Sequence, residues 1–205
     1  MQSLLVISRG RPLHQSDTST DDSATALSLA AKFNIKVLDI PFLYDLPADS
    51  SIIQRLRSLS EPAYFLVPLS CRSAKSLLEY LQIPFAEVFE TSDTVQIRNG
   101  GISGGHVERL EENSHARWYP IIDDSLCSAC LECVNYCLFG VYSIGTDSRP
   151  VVDQPDACRD GCPACSRVCP SNAIMFPLYE DRIIAGYELP SPDEMDNLID
   201  IVDQI

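Results

Sequence analysis

The sequence predicts an α/β domain with a small parallel sheet over residues 1–90, followed by a smaller cysteine-rich unit, and three observations carry that division. Short runs rich in Val, Ile and Leu alternate with stretches of helical periodicity through the first part of the chain. A glycine-containing polar stretch interrupts the pattern over 91–117. Beyond it, eight of the nine cysteines fall between Cys127 and Cys169.

Within residues 1–90 each element has a local cause. Ser3 to Ser8 is a nearly continuous apolar run, the pattern of a strand buried on both faces of a sheet. A polar loop leads to a helix predicted from Asp22 to Phe33, where Ala26, Leu29, Ala30 and Phe33 recur at three- and four-residue steps behind an Asp/Ser capping region. Ile35 to Ile40 is the second strand, and Ser50 or Ser51 caps a helix carrying Ile52, Ile53, Leu56 and Leu59. Ala63 to Val67, closed by Pro68, is the third strand, Cys71 to Leu81 the third helix, and Phe85 to Phe89 an edge strand. That order implies a parallel sheet with right-handed crossovers.

Open parallel sheets place ligands beyond the carboxyl ends of their strands, here Ser8 to His14, Asp39 to Tyr44 and Pro68 to Arg72. Arg9, Arg11 and Arg72 in those loops suit an anion, so a small-molecule ligand of this domain is one expectation and ordinary solvated arginines the other. Neither GxGxxG nor a P-loop pattern follows the first strand, which argues against a nucleotide. His14 is a candidate proton carrier or metal ligand as well as an ordinary loop residue, and Cys71, at a helix start, is either an activated thiol or a buried structural one.

Residues 91–117 read as a connector, with a hairpin turn at Asn99-Gly100, a brief helix or strand from Val107 to Glu112, and His106 and His115 without evident partners. Past Pro177 the composition turns acidic. In that segment, 180–205, Ser191-Pro-Asp-Glu ahead of Met195, Leu198, Ile199 and Val202 predicts a capped amphipathic helix.

The cysteines form two runs. The first reads Cys127-Ser-Ala-Cys130-Leu-Glu-Cys133-Val-Asn-Tyr-Cys137 and the second Cys158-Arg-Asp-Gly-Cys162-Pro-Ala-Cys165-Ser-Arg-Val-Cys169-Pro170. Three thiolates two residues apart on a tight loop reach three corners of one iron-sulfur cube and leave the fourth corner to a cysteine from elsewhere. Structural zinc sites are the plainer alternative, but CxxCxxC crowds a single zinc. A disulfide framework fits poorly with cysteines gathered at one end of a chain whose first residues read as a strand and not an export signal.

These two runs, the proline after Cys169 and the return segment Asn172 to Phe176 resemble the two-cluster 4Fe-4S ferredoxin family, roughly from Tyr119 to Pro177. The resemblance implies an α+β domain over 118–179 that stands as a compact unit and holds two 4Fe-4S clusters. It also implies interlocked ligand sets: Cys127, Cys130, Cys133 and Cys169 for one cluster, and Cys158, Cys162, Cys165 and Cys137 for the other. The chain departs from the family at Leu138, where the first run usually has proline, and by one extra residue within Arg159-Asp-Gly161. The order of the first three strands is also similar to that of small chelatases of the sirohydrochlorin type. Where those would place a metal-handling histidine after the first strand, this chain has Ser8-Arg9-Gly10.

Twenty-nine acidic against fifteen basic residues give a net charge of −14, which disfavours nucleic acid and anionic lipid and favours a partner with a basic docking face. No apolar run is long enough to insert in a membrane, and metal-bound thiolates suit a reducing, cytoplasmic setting. The expected function is therefore non-catalytic electron transfer through two 4Fe-4S clusters to a redox protein partner, with the α/β domain serving recognition. The alternative is an oxidoreductase or its subunit, in which that domain binds a substrate or cofactor fed by the clusters. Many carboxylates oppose an added electron, which places the potentials in the lower half of the roughly −700 to +450 mV range of such clusters.

Overall fold

The computed structural model describes residues 4–11, 36–91 and 106–188. The helix expected from Asp22, the loop holding His14, the turn at Asn99-Gly100 and the acidic helix after Ser191 lie outside the described residues.

Five strands form one sheet: β1 (Leu4–Ser8), β2 (Lys36–Ile40), β3 (Ala63–Val67), β4 (Phe85–Glu90) and β5 (His106–Arg109), in the order β4-β3-β1-β2-β5. Every pairing in it is parallel. Alternation along β1 sends Val6 into the main core and Leu5 and Ile7 into a second cluster with Val37 and Leu66, so both faces bury apolar side chains, as the continuous apolar runs require. Helix α1 (Ser51–Arg57) begins where the Ser50 hydroxyl accepts the Ile53 N–H, and α2 (Cys71–Tyr80) where the Ser70 hydroxyl accepts the Ser73 N–H. Ile52, Ile53 and Leu56 of α1 and Ala74, Leu77 and Leu78 of α2 face the sheet.

One strand comes from the stretch read as a connector. β5 adds to the free edge of β2 in the register Lys36↔His106 to Asp39↔Arg109. Charge fixes it there. Glu108 pairs with Arg55 of α1 at 2.7 Å and with Lys36 of β2 at 3.3 Å, and the Arg55 guanidinium foremost pulls its carboxyl down to about 2. Four residues with only Val107 apolar at the interface give almost no period-2 signal, so the pairing could not be read from hydrophobicity.

The cysteine-rich layer follows. It holds β6 (Ile121–Ile122), α3 (Glu132–Tyr136), the hairpin of β7 (Tyr142–Ile144) and β8 (Pro150–Val152), α4 (Ala164–Val168), and β9 (Ile174–Met175), which returns antiparallel to β6. It shares one core with the sheet, because Tyr119, Ile121, Val141, Val152 and Met175 pack in the same cluster as Leu43, Tyr44, Phe65 and Leu77. The unit expected to stand alone beyond Tyr119 therefore rests on the sheet.

Tyr44 and Tyr119 make the joint. Both are fully buried, and their rings stack with centroids 4.4 Å apart and planes 10° from parallel. The Tyr44 hydroxyl donates to the Tyr119 carbonyl and accepts the Tyr119 N–H at 2.8 Å, while the Tyr119 hydroxyl donates to the Tyr44 carbonyl at 3.0 Å. Arg117 closes the joint: 6% exposed, its guanidinium lies 4.7 Å from the Tyr119 ring centre, pairs with Asp156 at 2.7 Å and donates to the Leu46 carbonyl at 3.1 Å.

Tyr44→Phe should destabilise the protein by about 1–3 kcal/mol, since it strands a buried N–H and a buried carbonyl of Tyr119. Urea midpoints followed by far-UV circular dichroism and by fluorescence of Trp118, the single tryptophan, should fall together. Two separated transitions would show that the layers unfold independently.

Candidate metal centre

The loops at the carboxyl ends of the strands, where a ligand was expected, hold the second layer instead. Ser8 Oγ accepts the Leu43 N–H at 2.9 Å. Arg9 reaches the Ile40 carbonyl at 3.1 Å, the Leu110 carbonyl at 2.9 Å and Glu111 at 2.7 Å. Arg11 pairs with Asp45 and donates to the Arg117 carbonyl at 3.0 Å, and Arg72 pairs with Asp123 at 2.8 Å and donates to the Asn172 carbonyl at 2.6 Å. The three arginines do not converge on an anion. Each is bound to carboxylate and carbonyl oxygens of the fold, and Arg11 and Arg72 lead to the segment 117–123 or to the turn after Cys169.

The eight spaced cysteines sit on two loops whose backbones repeat one another. α3 and α4 have five residues each and end at Cys137 and Cys169, both with φ −74° and ψ 111°. Leu138 thus allows the turn that Pro170 would impose. In the first run Ala129 and Leu131 adopt φ of 56° and 60°, a left-handed bend that wraps backbone around the sulfurs. In the second run Gly161, at φ 73°, absorbs the extra residue.

Burial raises the Cys133 thiol to about 11, helped by the charges of Cys169, Cys127 and Cys130 around it. Burial likewise raises Cys158 to about 12, with Cys165, Cys162 and Cys137 as its charged neighbours, and Cys165 to about 11, beside Cys137 and Cys162. Backbone donors oppose this at matching places: Val134 N–H favours the Cys133 thiolate and Ser166 N–H that of Cys165. Cys137, Cys158, Cys162 and Cys165 also line one cavity of about 180 Å³, walled by Pro120, Tyr142 and Phe139.

This donor set suits a polynuclear centre. Crowded thiols held protonated by burial and mutual repulsion become thiolates when several positive metal ions sit between them. A cube needs its sulfurs farther apart than a single ion does, and the apolar cavity has the dryness that tunes such a centre.

Cys71 lies apart from both runs, at the start of α2, with its thiol 3.5 Å from the Val88 carbonyl oxygen. His106 falls in β5 and His115 is exposed. Trp118 and Tyr119, adjacent in the chain, part company. Trp118 stacks on Phe176 at 5.3 Å and donates to the Cys162 carbonyl at 3.2 Å, whereas Tyr119 turns into the joint. The sequence reading missed Tyr142, which lines the cavity from β7; its place five residues after Cys137 was the available signal. Among the described residues no helix is long and apolar enough to cross a membrane.

No family model matches the chain. Two uncharacterized ferredoxins of Methanocaldococcus jannaschii are similar to it. One is 43% identical over 61 residues, which cover 29% of this chain and 41% of the relative. The other is 46% identical over 55 residues, covering 26% of this chain and 86% of the relative. The chain thus spans less than half the length of the first and most of the second.

Proposed function

The chain belongs to the ferredoxin family through a ferredoxin-like iron-sulfur domain, and from that premise we propose that it is an electron-transfer protein holding two 4Fe-4S clusters in its C-terminal half. The observation that carries the count of two is the gathering of Cys137 with Cys158, Cys162 and Cys165 around one cavity, while Cys169 is a charged neighbour of Cys133 along with Cys127 and Cys130. This supports interlocked ligand sets, in which each run completes the other's site. When bound, each cluster supplies a reversible one-electron couple.

The protein's own groups do the rest. The thiolates anchor, the Val134 and Ser166 amides offset negative charge, and Trp118, Phe176 and Val141 keep water out. Leu138 is 91% exposed, and Tyr136 and Phe139 stand exposed beside the cavity of the second quartet. They form the apolar centre of a docking face whose acidic surroundings suit a redox partner with a basic surface, in the cytoplasm.

A second reading, an oxidoreductase subunit, draws on a mixed-polarity recess of about 430 Å³ lined by Arg72, Lys75, Ser76, Glu79, Asp123 and Leu126, close to the first run. A ligand bound there would favour it.

Protein purified without oxygen should be brown, carry about eight irons, and lose its broad visible absorbance on reduction. Two zinc ions and no colour would refute the proposal.

Cys169→Ala should damage the cluster of Cys127, Cys130 and Cys133 and spare the other, and Cys137→Ala should do the reverse; paramagnetic resonance of the two variants distinguishes the signals. If Cys137→Ala instead abolished the site of its own run, two independent four-cysteine sites would replace the interlocked pair.

The reduced protein should pass electrons to a basic cytochrome c with a rate constant that falls as salt rises, because screened charge steers the encounter. A rate independent of ionic strength would leave docking to the apolar face around Leu138.

A further inference from the structure

The two cysteine runs continue as a backbone repeat whose side chains differ, most consequentially at one buried position. Cys137-Leu-Phe-Gly140-Val-Tyr142 matches Cys169-Pro-Ser-Asn172-Ala-Ile174 position for position. The cap dihedrals at Cys137 and Cys169 agree, and the third residue after each is left-handed, Gly140 at φ 69° and Asn172 at φ 49°. Tyr142 and Ile174 are therefore equivalent, each opening a short strand beside the sulfurs. Ile174 is apolar and buried among Cys133, Cys165 and Phe176. Tyr142 carries a hydroxyl into the same setting.

That hydroxyl is buried and has no hydrogen-bond partner of acceptable geometry among the described residues. Its ring lines the cavity shared by Cys137, Cys158, Cys162 and Cys165. Tyr142 packs against the cluster that contains Cys165, and a phenol hydroxyl donates where a metal-bound thiolate can only accept, so Tyr142 stands as donor and Cys165 as acceptor. Native folds leave few buried hydroxyls unsatisfied, and the acceptors within this cavity are sulfur. A thiolate binding iron would draw in a contact that the free thiol makes only loosely.

Resting on the two-cluster reading above, we propose that Tyr142 is a positioning residue that donates a hydrogen bond to the sulfur of Cys165 and so raises the reduction potential of the second site above what an apolar side chain there would give. Reduction adds one electron to a centre already negative, and a donor aimed at its sulfur stabilises the reduced state more than the oxidised one. The first site has Ile174 in that place. Its Cys169 accepts only a backbone N–H, from Ala173 at 3.3 Å, and a sulfur–hydroxyl contact with Ser171 at 3.6 Å. The hydroxyl thus helps separate two potentials that a perfect repeat would make equal.

The test is a dithionite titration of the full-length, iron-loaded protein followed by paramagnetic resonance. Tyr142→Phe should shift one of the two midpoints downward and leave the other in place, the moved one being the signal that Cys137→Ala abolishes. Protein made with 3-fluorotyrosine, a stronger donor of nearly the same shape, should shift that midpoint upward even if the phenylalanine variant failed to load its second site. Unmoved midpoints in both preparations, or equal movement of both midpoints, would overturn the role of Tyr142 while leaving the two-cluster reading intact. A wild-type protein that binds no iron would overturn both.

Discussion

The contact between Tyr44 and Tyr119 is the constraint on which the rest of the structure depends. A stacked ring pair with reciprocal backbone hydrogen bonds fixes both distance and rotation, which apolar packing alone does not. It holds the chain at 117–123 against the strand-end loops of the sheet, with Arg11 and Arg72 pinning either side. β6 lies within that stretch, pairs with β9, and so brings the residues just before Cys127 beside those just after Cys169. This pairing holds the two cysteine runs beside one another.

The cysteine-rich layer packs at the strand ends of the sheet, where Arg11 and Arg72 donate to its backbone carbonyls. Arg9 belongs to the same economy of satisfied charge. Asp39, 2% exposed on β2, faces Arg9 at 3.4 Å and Arg109 at 2.7 Å, which ties the added strand β5 to the centre of the sheet. A buried carboxylate is tolerated there because two guanidinium groups reach it.

The cysteine-rich layer shows how a repeated backbone acquires unequal chemistry. Two five-residue helices, C-terminal caps of equal dihedral angles and two left-handed third residues give each run a similar frame. Side chains then differ around it: Leu138 for Pro170, Tyr142 for Ile174, Ala129 and Leu131 in left-handed geometry where the second run uses Gly161. Such differences alter exposure, hydrogen bonding and backbone conformation around the sulfurs.

By itself the sequence determined the local features. Spacing determined that eight cysteines form two runs suited to metal, because ligand geometry within a run is short-range. Apolar runs determined β1, β2 and β3, because a strand buried on both faces is mostly apolar, and the serine caps determined where α1 and α2 begin, since the hydroxyl must sit beside the N–H it accepts. Only the tertiary structure decided that β5 completes the sheet, that Arg9, Arg11 and Arg72 join parts of the fold instead of gathering an anion, and that Trp118 and Tyr119 face different cores. Each of these depends on groups tens of residues apart in the chain, from Arg11 and Arg117 to Tyr44 and Tyr119, and a pairing of that range leaves no periodicity for the sequence to display.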